Sequence, residues 1–350
     1  MQHVKTPPPA TDADAVQLVR TASELTRHLA EPKPILYWVD SIASAIVGWV
    51  SLYLCSTSNW RWGLLFFPLA VLGFYRSTLF IHEVVHIGGK KMRTFHIAWN
   101  ALVGIPVLMP SFVYDIHLRH HARSQYGTVE DAEYTPFGML PPSHFLLFPP
   151  MSVTFPFLAI FRFLLLAPLG WLIPPMGEWV HQRASALSMR PEFRRKEPFK
   201  SSWWRVQEVC AFLWAAFVLT AVLMHWIPLR LVLLWIAAIA IGSVLNSTRT
   251  LVSHRYRSGD QAMTFLEQIK DSVNHPQGIW AELWAPVGLR YHALHHLLPF
   301  LPYHSLGQAH NILMKSLPAD SFYRDTNSSS LLETLRKLWA DSSEHAAKTA

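Results

Sequence analysis

The chain has 350 residues, of which 51% are hydrophobic and only 15% are charged. Soluble proteins carry about 25% charged residues, so this composition excludes a disordered chain and predicts a membrane protein. Thirty Lys and Arg residues against 23 Asp and Glu residues give a net charge of +7, which in a membrane protein indicates loops near anionic lipid and not a nucleic-acid partner.

Four apolar segments predict four transmembrane helices in two hairpins. A polar N-terminal segment, residues 1–34, comes first, and within it residues 16–29 favour a short amphipathic surface helix. Segments 35–55 and 63–81 follow, each close to the ~20 residues that a helix needs to cross a bilayer. Segments 209–227 and 231–245 form the second pair.

The basic residues predict the orientation of these hairpins. The connections inside the hairpins carry only Arg61 and Arg230. Cytoplasmic loops are rich in Lys and Arg. We therefore expect the side opposite the hairpin connections, with both termini, to be cytoplasmic, and the protein to lie in the inner (cytoplasmic) membrane. The basic residues on that side are Lys90, Lys91, Arg93, Arg119, Arg123, Arg183, Arg194, Arg195, Lys196 and Lys200.

Two further apolar stretches, residues 97–113 and 144–176, are interrupted by prolines. Basic residues flank both stretches on the predicted cytoplasmic side, so each must cross the membrane an even number of times. The simplest even number is zero, and we therefore expect interfacial or re-entrant helices there.

Eight of the nineteen histidines lie in three short boxes. The first box reads H-E-V-V-H, the second H-L-R-H-H and the third H-A-L-H-H. On a helix, residues three and four apart share a face, so the histidines of each box point in one direction. These eight are His82, His86, His117, His120, His121, His292, His295 and His296.

The predicted topology places all three boxes at the cytoplasmic face of the membrane. Eight imidazoles exceed what one ion accepts, and two ions with four or five nitrogens each would fit. Imidazole suits iron, copper, nickel and zinc alike, so ligand type leaves the metal open. A redox metal beside lipid favours oxygen chemistry on an aliphatic chain.

The three boxes around two membrane hairpins resemble the membrane fatty-acid desaturase and hydroxylase superfamily. The resemblance covers about residues 35–310 and leaves 1–34 and 311–350 as cytoplasmic segments. It implies an all-α integral membrane protein with four transmembrane helices in two hairpins, interfacial helices and a cytoplasmic histidine-rich cap. It also implies two non-haem irons, O2 as co-substrate, a fatty-acyl substrate drawn from membrane lipid, and an external electron donor such as ferredoxin or rubredoxin with its reductase.

The resemblance implies a ninth histidine ligand after the last span. His254 is the favoured candidate because it emerges directly from that span, and His275 is its rival. Some relatives carry an asparagine four residues before this histidine, but here that position is Thr250.

Metal-bound histidines usually donate their second N–H group to a carboxylate. Candidate acceptors are Glu83, Asp115 and Asp271. The segment 127–133, which contains Glu130, Asp131 and Glu133, resembles an acidic stretch of the family, although a solvated loop is an equal interpretation.

The sequence does not distinguish three reactions, each of which begins with abstraction of a hydrogen atom from an acyl chain. Desaturation is the simplest, and hydroxylation and oxidative decarboxylation to a terminal alkene are the alternatives. Arg119, Arg249 and Arg290 lie near the boxes in sequence and could hold a charged head group.

Two hypotheses come from other classes of protein. His82-Glu83-x-x-His86 matches the H-E-x-x-H motif of zinc metalloproteases, in which Glu83 would be the general base. That reading leaves six boxed histidines without a role. A channel or metal transporter would need polar residues along the spans, and these offer little beyond Asp40, Arg76 and His225.

Overall fold

The computed structural model describes residues 10–88, 92–198 and 202–349. Lys90, Lys91 and Lys200, three of the basic residues used to predict the orientation, lie outside these ranges. Within them the chain is helical, and β structure is limited to isolated bridges. A surface helix, α1 (Asp12–Thr26), begins with a capping box between Thr11 and Asp14, within the polar N-terminal segment.

The first predicted hairpin is formed by α2 (Pro34–Thr57) and α3 (Trp60–His86). Asn59 caps α3, since its side chain accepts hydrogen bonds from the backbone N–H groups of Arg61 and Trp62. The two helices are in close contact at Gly48 and Gly73, where a Cβ atom on Gly73 would lie 2.4 Å from the Gly48 nitrogen. Glycine is therefore required at this crossing.

The second hairpin is formed by α10 (Ser202–Leu223) and α11 (Leu229–Leu251). Pro228 ends the connection and directly precedes α11, where its missing N–H group costs nothing. Arg230 donates hydrogen bonds to the backbone oxygens of Cys55 and Ser58, at the turn of the first hairpin. The turns of both hairpins therefore lie on one side of the molecule.

The segment between the hairpins contains short helices. Residues 92–120 form α4 (Arg93–Trp99), a π-helical turn (Asn100–Gly104), a 3-10 turn (Ser111–Val113) and α5 (His117–His120). A longer proline-interrupted stretch follows, and it continues into α9 (Pro174–Ala184). It contains α6 (Pro142–Met151), a 3-10 turn (Ser152–Thr154), α7 (Phe155–Phe161), a π-helical turn (Arg162–Leu166) and α8 (Ala167–Leu172).

Five helical segments are long and apolar enough to cross a membrane: the four predicted ones and Pro142–Leu172. The protein is therefore a multi-pass integral membrane protein. The sequence predicts four spans because basic residues flank this stretch on one side, so that it must cross the membrane an even number of times, most simply none. In the structure Pro142, Pro156 and Pro168 occupy first turns of helices, where proline is tolerated, and the stretch stays helical although Pro149 and Pro150 lie inside α6.

The remaining helices pack at the end of the bundle where α3 and α11 finish. They are α12 (Phe265–Asp271), α13 (Ala281–Trp284), α14 (His292–Leu297), α15 (Tyr303–Ser316) and α16 (Leu331–Thr349). Helix α1 packs through Ala15, Leu18 and Ala22 into a buried cluster with residues of α12, α14 and α15. This packing brings the third histidine box to the ends of α3 and α11.

Candidate metal centre

Nine histidines meet at the ends of α3 and α11, in two adjacent groups. In each group the nearest ring nitrogens all lie within 4.8 Å of one another. The rings of His121 and His296 stack between the groups, with centroids 4.3 Å apart. The first group contains His82, His86, His117, His121 and His295, and the second contains His120, His254, His292 and His296.

The division between the groups follows the spacing within each box. Histidines four residues apart stay together: His117 with His121, and His292 with His296. The histidine three residues after the first joins the other group, as His120 and His295 do. Each H-x-x-H-H box therefore contributes to both groups and joins them. The rule that residues three and four apart share a face predicts one direction for all three histidines of a box and does not separate them.

The spacing of the nitrogens fits metal coordination. The Nε2 atoms of His120 and His254 lie 3.1 Å apart, and those of His292 and His254 lie 2.8 Å apart. A nitrogen ligand lies about 2.1 Å from a first-row metal ion, so two such ligands at right angles are about 3.0 Å apart. Both ring nitrogens of His82 are buried without a hydrogen-bond partner. A buried ring nitrogen without a hydrogen-bond partner is expected where that nitrogen binds a metal ion.

Two carboxylates fix the orientation of the histidines in the second box. Asp131 accepts a hydrogen bond from His120 Nδ1 at 2.8 Å, and Glu133 accepts one from His117 Nδ1 at 2.9 Å. An ionised carboxylate only accepts, so each Nδ1 carries the hydrogen and leaves its Nε2 lone pair free for a metal. These two acids come from the acidic stretch 127–133, whose sequence alone does not assign them to particular histidines.

A tyrosine links His254 to its carboxylate. Tyr126 donates its hydroxyl hydrogen to Asp271 at 2.8 Å, so its oxygen accepts from His254 Nδ1, also at 2.8 Å. Asp271 itself lies 3.6 Å from His254. Sequence reasoning missed Tyr126, because no motif marks it and its contacts join residues about 130 to 145 positions apart.

The buried surroundings keep most of these imidazoles neutral. Burial, and then the charges of neighbouring histidines, hold the pKa of His121, His254 and His296 well below the usual value. His120 differs, because the negative charge of Asp131 outweighs burial and raises its pKa. Burial also raises the pKa of Glu133 to about 7. A divalent cation nearby would favour the ionised carboxylate.

The other predicted acids occupy two different surroundings. Glu83 is buried in the first box, where it accepts hydrogen bonds from the Tyr37 hydroxyl at 2.7 Å and from the backbone N–H of Tyr303 at 3.1 Å. Its second oxygen lies 3.5 Å from His82 Nδ1. Asp115 is not brought into either group and accepts a hydrogen bond from Arg195 at 2.9 Å.

His254 and His275, the two candidates for a ninth ligand, are separated by the fold. His254 belongs to the second group. His275 is buried outside both groups, with its Nε2 atom 3.0 Å from the backbone oxygen of Val252. The structure therefore brings His254, and not His275, together with the boxed histidines.

An apolar cavity of about 260 Å³ opens beside the two groups. Its walls include His82, His117, His120, His254 and His292, together with aromatic and aliphatic side chains from α3, α7 and α11. The cavity can hold a lipid chain against the histidines while it excludes water.

The three candidate head-group arginines lie in different places. Arg249 lines this cavity, is 8% exposed and therefore faces any molecule that enters. Arg119 and Arg290 do not line it, and they pair with Glu197 and Glu282. All three arginines are near the boxes in sequence, but only Arg249 of the three lines the cavity.

Comparisons with known proteins agree with this geometry. Residues 58–327 match the fatty acid desaturase family. A curated relative, the ceramide hydroxylase of Caulobacter vibrioides (strain NA1000 / CB15N), is 38% identical over 336 residues, which cover 94% of this chain and 95% of the relative. No solved structure is a significant match. The resemblance predicted from the histidine boxes is confirmed: the chain belongs to the fatty acid desaturase family and is an oxidoreductase of the desaturase-like diiron type.

Proposed function

We propose that the protein hydroxylates a ceramide-like membrane lipid, with O2 as oxidant and two non-haem irons held by the nine histidines. One observation carries the proposal: two histidine groups adjoin a single apolar cavity that five of their members line. The relative named a ceramide hydroxylase, which aligns over nearly the whole chain, supports hydroxylation over desaturation.

The five-histidine and four-histidine groups would each hold one iron through Nε2 atoms. When bound, the two irons supply O2 activation: one oxygen atom enters a C–H bond of the lipid, and the other leaves as water with two electrons and two protons. The electrons need an external one-electron donor, for which an iron–sulfur protein such as ferredoxin or rubredoxin is suited. Donors of this kind are generally acidic and would be steered by the basic face of the protein.

The chain's own residues orient the centre and exclude water. Asp131, Glu133 and Tyr126 hold the Nδ1–H groups of His120, His117 and His254, which fixes the direction of each Nε2 lone pair. The apolar cavity wall keeps bulk water away from the position where the lipid C–H bond would lie. These roles require no movement of the histidines.

The meeting of the histidines also supports a topology of four crossings. His86 ends α3, and His254 follows the end of α11. Because both belong to the same centre, α3 and α11 finish on one side of the membrane. The chain between α3 and α10 must then cross an even number of times, so Pro142–Leu172 does not cross alone. Its buried Arg162, paired with Glu208 at 2.6 Å, also favours packing against protein over a full crossing.

This topology gives a membrane unit at residues 35–310 between segments 1–34 and 311–350. By the positive-inside rule, the basic residues on the histidine side support a cytoplasmic position for the cap, the metal centre and both termini, at the inner membrane.

Lipid analysis of cells that express the chain tests the proposed function. We expect an O2-dependent product one oxygen atom heavier than a resident long-chain lipid, with the oxygen derived from labelled O2. The variant His82→Ala should abolish the product while the protein still inserts into the membrane, because the spans and not the histidines supply insertion energy. A product that has lost two hydrogens would establish desaturation instead, and release of CO2 would establish decarboxylation. Turnover without O2 would overturn the assignment.

A further inference from the structure

The last turns of α11 carry a stripe of polar side chains into the apolar cavity. Its members on the cavity wall are Ser243, Asn246, Ser247, Arg249 and Thr250, with Ser253 just beyond the helix. Polar side chains inside a membrane helix are costly unless they have a role. A stripe of this length, on the wall shared with the metal-binding histidines, indicates that the cavity receives a polar group.

Arg249 is the charged member of this stripe. Its three nitrogens donate to the side-chain oxygens of Asn246 (3.2 Å), Thr250 (3.0 Å) and Ser253 (3.4 Å). All three acceptors are neutral, and none of the ion pairs among the described residues includes Arg249. A guanidinium group has five N–H bonds, and because the Tyr75 hydroxyl is a further partner, at least one remains for a ligand in the cavity.

The hydroxyl groups of the stripe supply acceptors. Ser243 donates to the backbone oxygen of Ile239, Ser247 to that of Ser243, and Thr250 to that of Asn246. Each hydroxyl has one hydrogen and two lone pairs. These oxygens therefore keep acceptor capacity, even though Thr250 also accepts from Arg249 and Ser247 lies 3.0 Å from the Ser152 hydroxyl. The cavity wall therefore offers both donors and acceptors beside one another.

Resting on the proposed function, we propose that this stripe binds the uncharged amide and hydroxyl groups of an N-acylated long-chain lipid, and that the oxidised carbon lies within a few carbon atoms of those groups. An amide carbonyl accepts from Arg249, while the amide N–H and hydroxyl groups donate to the serine and threonine oxygens. A free carboxylate would leave those oxygens unused, and it would also meet Glu133, which lines the same cavity.

The position of the stripe determines which carbon is near the metal centre. Arg249 is only five residues before His254, and both residues line the cavity together with His292. The opposite end of the cavity is apolar and includes Phe74, Ala238 and Ile239. Ala238 and Arg249 are eleven residues apart on α11, or roughly 16 Å along the helix axis. The polar group therefore binds beside the histidines and the hydrocarbon tail extends away from them.

Lipid binding to the full-length, metal-loaded protein without a reductant, so that no turnover occurs, tests this assignment apart from catalysis. The probes are a short-chain fluorescent ceramide, competed by unlabelled ceramide or by a free fatty acid of the same chain length. We expect ceramide to compete at a lower concentration than the fatty acid. Arg249→Gln should weaken ceramide binding about tenfold or more, since hydrogen bonds from a charged group are involved. Arg230→Gln, the same change at the other end of α11, should leave binding unchanged.

A second variant guards against loss of folding. Asn246→Ala removes one partner of Arg249 and keeps the charge, so it should weaken ceramide binding less than Arg249→Gln does; size-exclusion elution and metal uptake would show that both variants are folded. Fatty acid binding as tightly as ceramide, or unchanged binding in folded Arg249→Gln, would overturn the proposal. So would a product oxidised in the middle of the chain. Preserved ceramide selectivity with no oxidised product would instead contradict the proposed function and leave the binding site standing.

Discussion

The acids behind the histidines allow the two metal groups to be disturbed one at a time. Asp131 is fully buried, and its Oδ2 atom accepts from His120 and from the Gly127 backbone N–H at 3.0 Å. Its Oδ1 atom accepts from the backbone N–H of Glu133 at 3.0 Å. Asparagine has the same shape but only one acceptor oxygen. The variant Asp131→Asn must therefore lose either the bond to His120 or a bond within the loop.

Loss of such a partner lowers metal affinity by about 10- to 100-fold, which corresponds to about 1.4 to 2.7 kcal/mol. Because His120 belongs to the four-histidine group, we expect Asp131→Asn to weaken iron there and to spare the five-histidine group. Glu133→Gln should have the opposite effect, since its partner His117 belongs to the five-histidine group. At limiting iron each variant should fall from two irons per chain toward one.

Elemental analysis after anaerobic titration with ferrous iron measures this loss, and Mössbauer spectroscopy distinguishes the remaining iron in the two variants. Asp341→Asn is the matched control, because Asp341 pairs with Arg257 at the surface and contacts no histidine of the centre among the described residues. This control should keep two irons. The reasoning is refuted if each variant loses both irons together, or if both variants retain two irons with unchanged affinity.

Three further predictions concern the ninth ligand, the topology and the cap. His254→Ala should lower bound iron whereas His275→Ala should not, as measured by iron per chain; the reverse result would move the ligand to His275. Tags at both termini and at residues 194–196 should be accessible from the cytoplasm, and a tag at Ser58 from the other side; an outward tag at 194–196 would mean a single crossing by Pro142–Leu172. Burial lowers the pKa of His310 to about 4, so its contribution to stability is complete above pH 6.5 and falls by about 2 kcal/mol between pH 7.5 and 5. His310→Gln should therefore flatten the pH dependence of the melting temperature. An unchanged slope would show that burial of a neutral His310 does not contribute to this dependence.

The histidine centre could be predicted from sequence because its spacing is local. Residues four apart on a helix are rotated by only about 40° from each other, so pairs such as His82 and His86 meet on any helix. The division of each box between two groups follows from the same geometry, since adjacent residues diverge by about 100°. His120 and His121 therefore point at different groups, a consequence that the shared-face rule alone does not reveal.

The partners of the histidines could not be predicted in the same way. Asp115 lies two residues from His117 in sequence but pairs with Arg195. Asp131 lies eleven residues from His120 and still contacts it, because the chain turns back at Gly127, whose φ of +72° favours glycine. Such contacts depend on loop geometry and on long-range packing, which leave no periodic signal in the sequence.

Charge balance gives a reason for the acids that surround this centre. Imidazoles that bind a metal ion are neutral and contribute no charge, so two divalent ions would bring four positive charges into a buried site at the membrane. Four carboxylates lie against the histidines or one tyrosine away from them: Glu83, Asp131, Glu133 and Asp271. Their four negative charges balance the four positive charges of two divalent ions, whereas a single zinc ion would leave two of these carboxylates without a compensating cation, and burial favours the protonated form of such an acid. Asp115 is not needed in this balance, because Arg195 already neutralises it. The acids therefore favour two ions independently of the number of histidines, and they do so at the ends of α3 and α11, where the packed short helices bury them.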